Sequence, residues 1–238
     1  MALPKINANP NYEVTIPSTG KNVTYRPYLV KEEKVLMIAF ESGDVKHAMR
    51  EIANTLNICI NEHIDVNKLT TFDVEYLFTQ IRSRSVGEVA DVLIPCKSCD
   101  HKNEYRLDLA EVVVTDTAVD GNNTSISDDI VLDLVYPTYG EMSALKSLGD
   151  TGKSQMEDGF AMSVAAIKTI KTEDERHEAV DVSKKEMNEF VESMTSKQFT
   201  IITEFLQTIP VVTYNGQFEC SSCTEHNDVQ LRGLKDFL

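Results

Sequence analysis

The sequence predicts an α+β fold: an N-terminal β-hairpin, helical regions, and a split zinc-ribbon-like β unit built from two CxxC hairpins. Three observations lead there. Two Cys-x-x-Cys turns, Cys96-Lys97-Ser98-Cys99 and Cys220-Ser221-Ser222-Cys223, each sit between strand-like runs. About 120 residues, largely of helical patterning, separate the two turns. Alternating segments near the N-terminus read as two antiparallel strands.

In chain order, Tyr12-Glu13-Val14-Thr15-Ile16 alternates as a strand, Pro17 to Asn22 turns, and Val23-Thr24-Tyr25-Arg26 returns. A helix is expected over Val30 to Glu41, stopped by Ser42-Gly43. Asp44 is placed to cap the next helix. Its apolar positions Val45, Ala48, Met49, Ile52, Leu56, Cys59 and Ile60 recur at helical spacing. Cys59 lies on that stripe and reads as a small buried hydrophobe, with a ligand or redox thiol as the alternative. A third helix runs from Thr71 to Ser83, with Asp73 and Glu75 at the positive end of its dipole and Arg82 and Arg84 at the other. These arginines are the nearest thing to a basic cluster, and they read as solvated or ion-paired.

Residues 86–109 carry the first ribbon half. A polar loop, Asp116 to Asp129, leads to a buried strand, Ile130 to Tyr136. Residues 140–209 read as mostly helical, broken at Gly149 to Gly152 and by a charged linker from Lys171 to Val182. Ser183 with Glu186, and Thr195 with Gln198, have the spacing of capping boxes. The second ribbon half follows Pro210. The domain reading is therefore 1–85 for the hairpin and helices, 86–136 for the first ribbon half and strands, 137–210 for a helical insertion, and 211–238 for a second half closing on the first.

Composition narrows the function. Net charge is −15 and apolar content 42%, with a pI near 4.7. Such acidity opposes general binding to nucleic acid or anionic membranes, both of which are negative. No apolar run approaches a membrane span. Met1-Ala2-Leu3-Pro4-Lys5 lacks the apolar core of a signal peptide, so a reducing cytoplasm is expected, where cysteines serve as metal ligands more often than as disulfides.

Other motifs fail on their own chemistry. Gly152-Lys153-Ser154 resembles the end of a phosphate loop, but Ser147 stands where the first glycine belongs. Asp116, Asp120 and Gly121 suggest a calcium loop, but Ala118 and Ser127 occupy ligand positions. His177-Glu178 opens a zinc-protease motif that Asp181 ends. Asp128-Asp129 reads as a solvated strand border. His101 and His226 each lie just past a knuckle, and with four cysteines available they read as supporting or exposed side chains.

The metal reading is therefore Cys96, Cys99, Cys220 and Cys223 around one structural Zn²⁺. Four thiolates make a closed tetrahedral site with no position left for water or substrate. Neither CxxC opens a helix in a βαβ unit, as a thioredoxin-like redox motif would.

Several stretches carry a further signal: Ala2-Leu3-Pro4-Lys5-Ile6, Pro17-Ser18-Thr19-Gly20-Lys21, Tyr25 to Lys34, Ala39 to Asp44, Phe72 to Phe78, and Ile81 to Glu88. In these the chain resembles baseplate hub proteins of T-even-like contractile-tailed bacteriophages, closely over roughly residues 2–110 and more loosely beyond. The resemblance implies a late viral tail protein, a hub subunit or assembly factor, whose partners are other phage baseplate hub or tail proteins. It implies a place in the host cytoplasm during assembly and in the virion tail baseplate. It transfers no catalytic residue, and no small-molecule substrate is expected. Two other classes stay open at this level: a zinc-ribbon nucleic-acid-binding or transcription factor, and a CxxC redox protein.

Overall fold

The structure is a computed structural model that describes residues 10–115, 122–145 and 155–234. It is α+β. The chain opens with β1 (Tyr12–Thr15) and β2 (Asn22–Tyr25), followed by α1 (Val30–Glu41), α2 (Val45–Cys59) and α3 (Thr71–Val86). Three strands come next: β3 (Val89–Pro95), β4 (Lys102–Asp108) and β5 (Val113–Val114). Then follow β6 (Asn122–Ser125), β7 (Val131–Leu134), α4 (Tyr139–Ser143), α5 (Gln155–Ala165), β8 (Ile167–Lys171) and β9 (Arg176–Glu178). Helices α6 (Lys184–Glu192) and α7 (Ser196–Gln207) precede β10 (Val212–Glu219) and β11 (His226–Arg232). The chain divides into two compact units: Met1–Val66, Phe72–Thr117 and Pro210–Leu238 form one, and Asn67–Thr71 with Ala118–Ile209 form the other.

In the first unit, β1 and β2 pair from Tyr12↔Tyr25 to Thr15↔Asn22. Gly20 takes the left-handed φ of 65° that closes their turn, a conformation glycine adopts without steric cost. Asp73 is fully buried in the first turn of α3 and accepts the Ser18 amide at 2.8 Å and the Ser18 hydroxyl at 2.5 Å, tying that turn to the helix. Helix α1 begins where Glu32 accepts the Leu29 amide and pairs with Arg26. Burial alone would raise the Glu32 pKa, but the Leu29 amide and Arg26 hold it below the usual carboxylate range. The Asp44 carboxylate caps α2 by accepting the His47 amide. Cys59 lies fully buried on the inner stripe of α2, and burial pushes its thiol up to about 11. Arg84 pairs with Glu88 and lies 5.0 Å from the Tyr12 ring centre. Ile16, Val23, Leu56, Phe72, Leu77, Phe78 and Ile81 of this unit are each buried to 2% exposure or less.

Two antiparallel hairpins complete this unit. β3 pairs with β4 from Val89↔Asp108 to Pro95↔Lys102, and β10 pairs with β11 from Thr213↔Arg232 to Glu219↔His226. β5 adds to the free edge of β10.

The second unit is a four-stranded antiparallel sheet, β6-β7-β8-β9, with helices on its apolar face. Leu132, Leu134, Ile167 and Ile170 project from the strands into a core with Met187 and Val191 of α6 and Ile202 and Phe205 of α7. Both expected capping boxes are present: Ser183 with Glu186, and Thr195 with Gln198.

This sheet corrects the helical reading of residues 137–210. Ile167-Lys168-Thr169-Ile170-Lys171 forms a strand rich in β-branched residues, and a register shift opposite Asp133 and Leu134 lets Ile167 and Ile170, three apart, both enter the core. The charged stretch behind it is a turn, closed by the Thr172 amide to the Glu175 carbonyl, and then strand β9. The polar Asn122-Asn123-Thr124-Ser125 is likewise an edge strand rather than a loop, since its backbone pairs with β7. Asp128 and Asp129 are exposed, as expected. Asp116, Asp120, Gly121 and Gly152-Lys153-Ser154 lie outside the described residues. No helix among the described residues is long and apolar enough to cross a membrane.

Candidate metal centre

The two hairpins of the first unit bring all four predicted cysteines together. Sγ atoms of Cys96, Cys99, Cys220 and Cys223 all lie within 4.8 Å of one another. Cys96 to Cys223 is 3.6 Å and Cys99 to Cys220 is 3.7 Å, both across the two turns. A tetrahedral site with bonds of about 2.3 Å to sulfur requires sulfur–sulfur edges of about 3.8 Å, so this donor set fits such an ion. It does not fit a formed disulfide, whose sulfurs stand about 2.05 Å apart. Cys96 and Cys220 are each 1% exposed, whereas Cys99 and Cys223 are exposed.

Each turn is built by the same backbone bonds. The Cys96 amide donates to the His101 carbonyl and the Cys220 amide to the Glu225 carbonyl, both at 2.9 Å. The Asp100 amide returns to the Cys96 carbonyl, and the Thr224 amide to the Cys220 carbonyl. To make that return, Asp100 and Thr224 take φ values of 55° and 59°. Asp tolerates that left-handed region, but a β-branched Thr there is strained by roughly 1–2 kcal/mol. The geometry frees amide hydrogens for sulfur: Ser98 donates to Cys96 and Ser222 to Cys220, each at 3.4 Å.

These donors set the charge of the sulfurs. The Ser98 amide lowers the Cys96 pKa. The Cys223 amide, helped by those of Ser222 and Asn103, lowers Cys220 to about 6. The Glu225 amide also acts to lower Cys223, yet the Cys99 sulfur, burial and the remaining two sulfurs push it up to about 12. A cluster of four sulfurs resists carrying four negative charges without a cation.

His101 and His226 are exposed and contribute no ring nitrogen to the cluster, while the His101 amide donates to Cys99. His177 is also exposed and bonds Glu175 at 3.1 Å.

Two site residues escape a search for ligands alone. Asn103 and Asn227 are 6% and 3% exposed, and each reaches the opposite turn. The signal is nonetheless written in the chain: both halves read Cys-x-x-Cys-x-x-x-Asn. Behind the turns, the Tyr105 hydroxyl of β4 meets the Tyr214 hydroxyl of β10 at 2.8 Å. They meet over Gly216, where a Cβ would collide with the Tyr105 hydroxyl. The hairpins thus touch at two levels, sulfur and amide at one and aromatic at the other.

The fold is α+β, and its two hairpins gather four cysteine sulfurs into a group able to hold one metal ion. A family model described as the T4 bacteriophage base plate protein matches residues 9–238. The chain belongs to that family of phage baseplate proteins. No curated protein and no solved structure matches it.

Proposed function

We propose that this chain is a non-enzymatic protein of the baseplate central hub, a hub subunit or hub assembly factor, and that Cys96, Cys99, Cys220 and Cys223 hold one structural Zn²⁺. The observation that carries the metal assignment is the convergence of four sulfurs at tetrahedral edge lengths from two hairpins far apart in sequence. When bound, zinc supplies a cross-link and no chemistry, because four thiolates close its coordination. Family membership supports the baseplate, and the resemblance of residues 2–110 to hub proteins supports the hub.

Protein–protein contact is the mode of action, with other hub or tail proteins as partners. Helix α1 offers Val30, Met37 and Ile38 at 79%, 55% and 53% exposure, an apolar surface suited to such contact. The charge of −15 argues against nucleic acid and anionic membranes as partners. The protein works in the host cytoplasm during assembly and in the tail baseplate.

The test is genetic and analytical together. A phage lacking this chain is expected to leave central hubs unassembled, with rescue by the wild-type chain. Normal hubs in that phage would sink the assignment. Protein purified with reductant is expected to carry one zinc per chain and four thiols that do not react at the turns. Iron instead of zinc would appear in the same metal analysis and as visible absorption.

A further inference from the structure

We propose that Asn103 and Asn227 form a reciprocal positioning pair. Each carboxamide, carried by one hairpin, locks the opposite Cys-x-x-Cys turn and donates an N–H to that turn's buried cysteine sulfur. The inference rests on the metal reading above and adds to it residues that touch the ligands without being ligands.

The contacts are related by a pseudo-two-fold. Asn103 Oδ1 accepts the Ser221 amide at 2.9 Å, and Asn227 Oδ1 accepts the Lys97 amide at 2.9 Å. Asn103 Nδ2 donates to Cys220 Sγ at 3.6 Å, and Asn227 Nδ2 donates to Cys96 Sγ at 3.5 Å. Each Nδ2 also donates at 2.9 Å to a carbonyl of its own turn, that of His101 or Glu225. Backbone amides only donate and carbonyls only accept, so each amide group has one permitted orientation, with its nitrogen toward sulfur. Both side chains are buried with donors and acceptor engaged, which is the condition for a polar group to hold a fixed position in a protein interior.

Asparagine suits the task by elimination. Aspartate supplies the acceptor but no donor, and it brings a negative charge toward four thiolates. Alanine supplies neither. The relation is crossed: the hairpin that carries Cys96 orients Cys220, and the reverse. Each buried cysteine sulfur therefore takes one of its donors from the half that does not contain it. The Asn103 oxygen also accepts the Ser221 hydroxyl at 2.9 Å, so its removal leaves more unpaired than that of Asn227.

The experiment uses the full chain. Zinc affinity is measured by competition with a chromophoric chelator for wild type, Asn103→Ala, Asn227→Ala, Asn103→Asp and Asn227→Asp, and each protein is also loaded with Co²⁺. Outer contacts to metal ligands change affinity by about 10–100-fold, and that loss is expected for each variant, larger for Asn103. Loss of an N–H donated to sulfur raises the energy of its lone pairs, so the thiolate-to-cobalt charge-transfer band is expected to move to longer wavelength. A merely structural role would leave that band in place. Aspartate keeps the acceptor for the Ser221 or Lys97 amide, so it reads the sulfur contact even where alanine costs the fold. Variants that match wild type in affinity and band position overturn the asparagine assignment alone. Wild-type protein that takes up neither Zn²⁺ nor Co²⁺ overturns the metal reading, and the pair with it.

Discussion

The knuckle hairpins of the first unit and the four-stranded sheet of the second are both small antiparallel structures, but different forces hold them. The sheet is closed by volume: Leu132, Leu134, Ile167 and Ile170 pack against Met187, Val191, Ile202 and Phe205. The knuckle end is closed by directed bonds among sulfurs, two asparagines and backbone amides. An apolar core loses stability in proportion to what is removed from it. A cross-linked polar cluster loses function as a set, because each member left behind is buried or charged without its partner.

The sharpest way to break this comparison is Cys96→Ser. It removes one of four ligands and is expected to release the metal and destabilise the chain by more than about 5 kcal/mol, since structural zinc contributes about 10–16 kcal/mol in small peptides. Thermal melting and metal content read it, and no change in either would refute the cross-link. Next is Leu132→Ala, which empties a fully buried position opposite Ile170. It is expected to cost about 2–5 kcal/mol with metal content unchanged. Zinc lost along with the leucine would mean that the two regions do not fail separately.

A third test uses pH. Burial pushes the Glu75 carboxyl from 4.5 up to about 7, against the opposing effect of the Leu234 amide that it accepts. The folded state therefore binds more protons than the unfolded state between those values. Stability from this group is present below pH 4.5 and falls as pH rises through about 7. Glu75→Gln keeps an acceptor and removes the charge. It is expected to stabilise the protein by about 1–3 kcal/mol at pH 8 and by nothing near pH 4, measured by denaturant titration. The smallest effect is expected at Thr195, whose hydroxyl accepts the Gln198 amide at the start of α7. Thr195→Ala should cost about 1 kcal/mol and leave metal uptake untouched.

Most of the first unit was legible in the sequence because its signals are local. Asp44 before an apolar stripe, Ser42-Gly43 after one, and Cys-x-x-Cys between alternating runs each act within a few residues. The four cysteines were legible as a set because thiolate chemistry has few other uses at that spacing. The sheet of the second unit was hidden by side chains that say little about pairing. Asn122 to Ser125 is a run of small polar residues whose backbone pairs with β7, and β9 is the short charged run Arg176-His177-Glu178 at the opposite edge. The asparagines were hidden for another reason: their meaning depends on which turn they face, and only the folded hairpins supply that.

The long separation between the two knuckles also bears on the order of synthesis. Cys99 and Cys220 stand 121 positions apart. At roughly 5–20 residues per second, the first pair of thiols leaves the ribosome about 6–25 s before the second. Through that interval Cys96 lacks Asn227, and Asn103 has no opposite turn to lock. A nascent chain halted between the knuckles thus carries two of the four clustered thiols and neither crossed asparagine contact, so an interrupted copy is chemically distinguishable from a finished one.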